Sequence, residues 1–165
     1  MTETIVTFFS QFPPRLATFL MAMVPLGESQ LALPVSILHF QVPPGQAFFL
    51  SLAGNMVPAT LILLFGDFFH RYVAEKKPNW IVSRIWTYQL ARAHTKFKGD
   101  YEKYGLPALM FFVVLPFPLT GAWTAAAAAV AFGFPFKKAW PFIFAGIAGS
   151  TFLTLVFSVG IDKLF

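Results

Sequence analysis

The sequence predicts an all-α integral membrane protein: two inverted repeats, each a re-entrant helical hairpin followed by a transmembrane helix, joined by a cytoplasmic amphipathic helical segment. Three observations predict it. Hydrophobic residues make up 57% of the 165 and charged residues 12%, about half the soluble share, and mean hydropathy is +0.67. Such a chain cannot clothe a water-facing surface. Second, the apolar residues fall into four blocks, two of them broken near the centre by Pro and Gly. Third, the order of broken block, Pro-containing turn and unbroken block occurs twice. The whole reads as a single membrane domain, 1–165, with repeat 1 at 1–66, a basic linker carrying an interfacial helix at 67–104 and repeat 2 at 105–165.

Met1 to Phe12 carries Glu3, no basic cluster and no A-x-A site, so no removable signal peptide is expected. Pro13-Pro14-Arg15 opens the first apolar stretch, Leu16 to Phe40, which is interrupted by Pro25-Leu26-Gly27-Glu28-Ser29-Gln30. After the turn Val42-Pro43-Pro44-Gly45, the 20 residues from Gln46 to Phe65 carry no formal charge and are long enough to span. Between Gly66 and Tyr104 lie eight of the twelve Lys and Arg. There Trp80, Ile81, Ile85, Trp86 and Tyr88 interleave with Arg84 and Arg92, a pattern suited to a helix at the headgroup interface or packed on its own protein. Gly105 to Phe132 is broken again, at Leu115-Pro116-Phe117-Pro118-Leu119-Thr120-Gly121, and Ala139 to Gly160 is the last apparent span.

An offset of 92 residues pairs Phe40, Pro43, Ala47, Ala53, Gly54, Leu61, Leu63 and Phe65 with identical residues. Shared apolar composition alone would give about two such matches. One further residue of shift pairs Pro25-Leu26 with Pro118-Leu119, so the interruptions correspond as well. Each broken stretch has two arms of about ten residues, rising about 15 Å, half of a ~30 Å hydrocarbon core. Two such arms around a Pro/Gly turn describe a re-entrant hairpin; the alternative is a full span kinked by proline. Irregular backbone at that depth must be buried in protein or line a wet cavity. Charge counting does not separate the two, since either topology gives ten Lys and Arg on one side against two on the other. Both place residues 66–104 in the cytoplasm, and the protein is expected in the inner membrane of a prokaryotic cell. Only hairpins make the repeats opposite in orientation, a recurring plan for secondary transporters.

Glu28 is the acidic residue inside a broken stretch. A charge there on lipid would cost about 2.5–3.5 kcal/mol or more, so it should face a cavity or a partner. Such a carboxyl can load and release a proton. It could instead cap the arm that starts near Ser29. Thr120 can cap the arm after the second turn, and Gly121 permits close backbone approach. Helix N-termini at both turns would offer free N–H groups to an anionic substrate. Trp123 opens a run of small residues, Thr124 to Ala129, suited to close helix packing. Asn55, beside Gly54, could bond the first hairpin, a substrate or another helix. Pro34 removes a backbone hydrogen bond and exposes the Gln30 carbonyl. The proton- or substrate-binding set is thus Glu28, Ser29, Asn55, Thr120, Gly121 and Trp123. The backbone turns and close approaches are Pro25, Gly27, Pro34, Gly54, Pro116, Pro118 and Gly146.

No cofactor, metal, nucleic-acid partner or enzymatic activity is expected. His39, His70 and His94 lack ligand spacing, Cys is absent, and neither a phosphate loop nor a nucleophile elbow occurs. Asp67 and Arg71 read as an i,i+4 pair. The expected partners are membrane lipids, an unknown small-molecule or lipid substrate, and a second copy of the chain.

The runs Glu28-Ser-Gln-Leu-Ala-Leu-Pro34, Ala53-Gly54-Asn55-Met-Val-Pro58, Lys103-Tyr104-Gly105 and Leu115-Pro116-Phe117-Pro118-Leu119-Thr120-Gly121-Ala122-Trp123 resemble the small multidrug export protein family. That family is similar to the DedA family of membrane proteins. The likeness covers about residues 24–160 and implies a small transporter with two re-entrant hairpins. By way of DedA it implies proton-linked transport of polyprenyl-phosphate lipid carriers. Ser29-Gln30 replace the family's usual Arg-Gly, which removes a Glu–Arg pair at the first tip, and Leu119 replaces a Gly. The leading expectation is a proton-coupled secondary transporter with its substrate site between the hairpin tips. A lipid translocase or scramblase and a non-transporting assembly factor are the alternatives.

Overall fold

The computed structural model describes residues 2–25, 28–75, 105–115 and 121–162; among them are seven helices and no strand. They are α1 (Thr2–Phe9), α2 (Pro14–Ala22), α3 (Glu28–Leu38), α4 (Pro44–Glu75), α5 (Leu106–Val114), α6 (Ala122–Ala131) and α7 (Phe136–Asp162). The segment expected to form an interfacial helix, 80–92, lies outside the described residues, as do Gly27, Pro116, Pro118 and Thr120 and the side chains of Asp67 and Arg71.

Two of the helices are long and apolar enough to cross a bilayer. The apolar window of α4 is Pro44–Gly66, 23 residues, and that of α7 is Phe136–Gly160, 25 residues. These windows rise about 35 Å or more, against a core of ~30 Å. By contrast α2, α3, α5 and α6 have 9, 11, 9 and 10 residues, rising only about 14–17 Å. Pro14 stands at the first position of α2, where its missing N–H costs nothing and its fixed φ suits a helix start.

The arms α2 and α3 fold back on one another. Thr18 Oγ1 and Ser36 Oγ stand 2.7 Å apart, although 18 residues of continuous helix would separate them by about 27 Å. Thr18 spends its proton on the Pro14 carbonyl at 2.8 Å, so Ser36 is the donor between the two hydroxyls. The break at Pro25 is therefore a turn and not a kink in a straight helix.

Packing repeats between the halves. The first arm of each half lies against its own long helix, α2 on α4 and α5 on α7. The second arm packs more extensively on the long helix of the other half, α3 on α7 and α6 on α4. Gly54 and Gly146, partners at the 92-residue offset, serve one purpose. A Cβ on Gly54 would strike the Phe19 carbonyl, and one on Gly146 would come within 2.8 Å of the Val113 Cβ and 2.9 Å of the Met110 carbonyl. Small residues here let the first arm seat on its long helix. The main core joins Ala122, Ala125, Ala126, Ala128 and Ala129 of α6 to Met56, Ala59 and Leu63 of α4 and Ile143 and Ile147 of α7.

Two features go beyond the sequence expectation. The helix α4 runs nine residues beyond Gly66, so the boundary drawn between repeat 1 and the linker falls inside a helix. Charges at Asp67, Arg71 and Glu75 end the apolar run, but a helix leaving a membrane need not stop there. The N-terminal segment, assigned no structure from sequence, forms α1, and Phe9 enters a small core with Ala17, Met21, Ala22 and Ala32.

Candidate functional site

The turn between α2 and α3 delivers Glu28 to the start of α6. Glu28 has a φ of 49°, in the left-handed region that costs a side-chain-bearing residue about 1–3 kcal/mol. Its N–H closes the turn on the Val24 carbonyl at 3.3 Å. From there the carboxylate reaches the other half of the molecule. Oε2 accepts the Ala122 N–H at 2.7 Å, and Oε1 accepts a longer, weaker bond from the Trp123 N–H at 3.4 Å. These are orphan donors at the N-terminus of α6, where the helix dipole favours negative charge. The residue preceding α6, Gly121, supplies no side-chain cap of its own.

This corrects one sequence reading. The sequence allows Glu28 to cap its own arm, α3, but its carboxylate caps α6, 94 residues away. Gly121 makes that reach possible: a Cβ there would overlap the Glu28 carboxylate. At the offset of 93 that aligns the two interruptions, Glu28 and Gly121 are equivalent positions. They converge on one space, and only one of them can carry a side chain into it.

Asn55 of α4 completes the cluster. Its Nδ2 donates to Glu28 Oε2 and to Ser29 Oγ, each at 3.2 Å, which uses both amide protons. Among the described residues its Oδ1 has no hydrogen-bond partner, and neither does Ser51 Oγ one helical turn earlier. Asn55 is 2% exposed and Ser51 0%. Buried polar atoms are normally paired, and the α7 hydroxyls of Thr151, Thr154 and Ser158 all bond the carbonyl four residues back. The two unpaired atoms, one of them on the residue that holds the Glu28 carboxylate, stand apart from those hydroxyls. Trp123 ties the site to the first turn a second time, donating from its indole Nε1 to the Met23 carbonyl at 3.2 Å.

Beside Trp123 runs a groove of about 470 Å³, lined by Met23, Pro58, Leu61, Ile62, Phe65, Gly66 and Trp123. Of the sequence-derived set, Glu28, Ser29, Asn55, Gly121 and Trp123 thus meet in one place. Pro25 sits in the first turn, while Pro34 lies within α3, away from the carboxylate contacts. Sequence reasoning missed Ser51, the Ala122 amide and the Met23 carbonyl. Backbone groups have no sequence signature, and a lone Ser in an apolar helix is unremarkable. Among the described residues no cluster of His, Cys, Asp and Glu could hold a metal ion.

Two apolar helices of spanning length, two pairs of short helices and a buried carboxylate linking one pair to the other define a small helical membrane protein with an internal polar site. Residues 28–153 match the family described as "Putative small multi-drug export protein". That is well over half of the chain, and the chain belongs to this family. No curated protein and no solved structure matches it.

Proposed function

We propose that the chain is a small proton-coupled exporter of the cytoplasmic membrane, in which two re-entrant hairpins of opposite orientation meet tip to tip and Glu28 exchanges the proton. The family name supports export. The observation that carries the reading is the bond from the Ala122 N–H to Glu28 Oε2, which makes one titratable group the joint between the halves. Protonation would take away the charge that favours the α6 N-terminus. Loading a proton and loosening the contact between the hairpins are then one event, which is what alternating access needs. The unpaired Oδ1 of Asn55, whose amide nitrogen holds the carboxylate, supports a site that does more than cap a helix.

Proteoliposomes with trapped pyranine test this directly. An imposed pH gradient should drive uptake of a lipophilic fluorescent cation such as ethidium, with matched lumenal pH change. Glu28→Gln keeps the shape but cannot ionise, and should reduce both signals to the protein-free background. Equal transport by Glu28→Gln would remove Glu28 from the mechanism.

The apolar groove beside Trp123 favours a second reading, a lipid translocase. Fluorescent-lipid flipping in pure vesicles separates the two. Flipping without any gradient supports the translocase, and strict dependence on the gradient supports coupled export.

A further inference from the structure

The groove on α4 has a length, a lining and an opening that suit one occupant. Pro58, Leu61, Ile62, Phe65 and Gly66 line it at spacings of i, i+3, i+4, i+7 and i+8, one continuous stripe on the helix. That stripe rises about 12 Å. It starts past the middle of the apolar window Pro44–Gly66 and ends at its last residue, so it runs from mid-depth to the edge of a bilayer, close to the ~15 Å of one leaflet's hydrocarbon. We infer that the groove seats a single hydrocarbon chain of a membrane lipid, lying along α4 with its methyl end against Trp123 and its headgroup beyond Gly66.

The lining decides against a polar ligand. Six of the seven residues have no polar side-chain atom, and the exception, the Trp123 indole N–H, is bonded to the Met23 carbonyl. A charged or hydrogen-bonding group placed here would lose its solvation without return. The groove is also continuous with a surface that faces lipid once α4 crosses a membrane: Leu61, Leu64 and Phe65 are 48%, 52% and 58% exposed. Beside the groove α4 packs on α6. A Cβ on Gly66 would overlap Val130, while at the other end Asn55 and Ala122 share the Glu28 carboxylate. The two helices therefore run side by side in the same direction. In a bilayer there is no hydrophobic gain in moving a chain from lipid to protein, so fit and dispersion contacts select the occupant. The inference rests on α4 spanning the membrane and not on transport, so it can fail while the exporter reading stands, and the reverse.

Trp123 is a built-in reporter. Trp80→Phe, Trp86→Phe and Trp140→Phe together leave it as the sole indole. This protein, checked for helicity by circular dichroism, is titrated in detergent with phosphatidylcholine brominated near the methyl end or near the carbonyl end of one chain. The expected result is saturable quenching at one lipid per protein with methyl-end bromine, much weaker quenching with carbonyl-end bromine, and loss of the saturable phase in Ile62→Phe, which fills the groove. Leu61→Phe is the second blocker, should Ile62→Phe fail to fold. Quenching that rises linearly with bromolipid and is unchanged by either blocker would overturn the inference, because the chains would then only be passing the indole. Saturable quenching by a brominated small lipophile that excess phosphatidylcholine does not relieve would assign the groove to a small substrate instead, and would also overturn it.

Discussion

Glu28 reaches α6 only because position 121 has no side chain. A methyl group there would overlap the carboxylate, and relief requires the turn to withdraw or α6 to shift. Gly121→Ala should therefore lower stability by about 1–3 kcal/mol, the usual cost of overpacking, read as a lower melting temperature in detergent. The clash is specific to the pair. In the double variant Gly121→Ala with Glu28→Ala, the second substitution should add much less than its own single cost; strict additivity would mean that the two do not meet. The backbone of Glu28 makes a separate prediction. With φ at 49°, Glu28→Gly should be more stable than Glu28→Ala by about 1 kcal/mol, though both lose the carboxylate. Equal melting temperatures would show that the left-handed conformation is not adopted.

Among the elements, the short arms distinguish a folded-back hairpin from a kinked span. The 2.7 Å approach of Thr18 and Ser36 brings α2 and α3 close enough for a disulfide, whose Cβ atoms need a separation of about 3.5–4.5 Å. The chain has no native Cys, so Thr18→Cys with Ser36→Cys gives a clean test. Mild oxidant should form an internal bond, seen as a mass loss of two hydrogens, whereas a straight span would leave both thiols free for alkylation. Much of this level was legible beforehand because its signals are local. The break at Pro25, the apolar runs before and after it, and the turn at Pro43-Pro44 announce two short arms and a long one. Gly54 and Gly146 stood out through the 92-residue offset, and their shared packing role gives that offset a physical cause. What stayed hidden is non-local or quiet. Nothing in a single sequence says that Glu28 caps a helix 94 residues away, since a carboxylate beside a helix start looks like its own cap. Ser36 and Ser51 are both hydroxyls in apolar helices, yet among the described residues one is paired and the other is not. The helix α4 also runs on past the span that hydropathy marks, because charge marks where a membrane ends and not where a helix does.

For the whole molecule, the packing pattern carries an argument about topology. The first arms sit on their own long helices, and the second arms pack across onto the long helix of the opposite half. A two-fold relation between the halves would produce an exchange of this kind. If each pair of short arms enters and leaves on one side, a single long helix follows each pair and reverses the next. The open end of α2–α3, near Phe12 and Gly45, should then face one side of the membrane. The open end of α5–α6, near Pro107 and Lys137, should face the other. Gly45, Pro107 and Lys137 are exposed, and Phe12 is 37% exposed, so single Cys residues at the four positions can be reached without disturbing a core. Four single-Cys proteins, treated in intact cells with a membrane-impermeant maleimide before and after permeabilisation, should fall into two groups: Phe12→Cys with Gly45→Cys, and Pro107→Cys with Lys137→Cys. Labelling that instead separated Phe12→Cys from Gly45→Cys would mean that α2 and α3 together cross the bilayer. The buried contact between Glu28 and α6 would then join two ordinary spans, and the proton-linked exchange proposed for it would lose its structural basis.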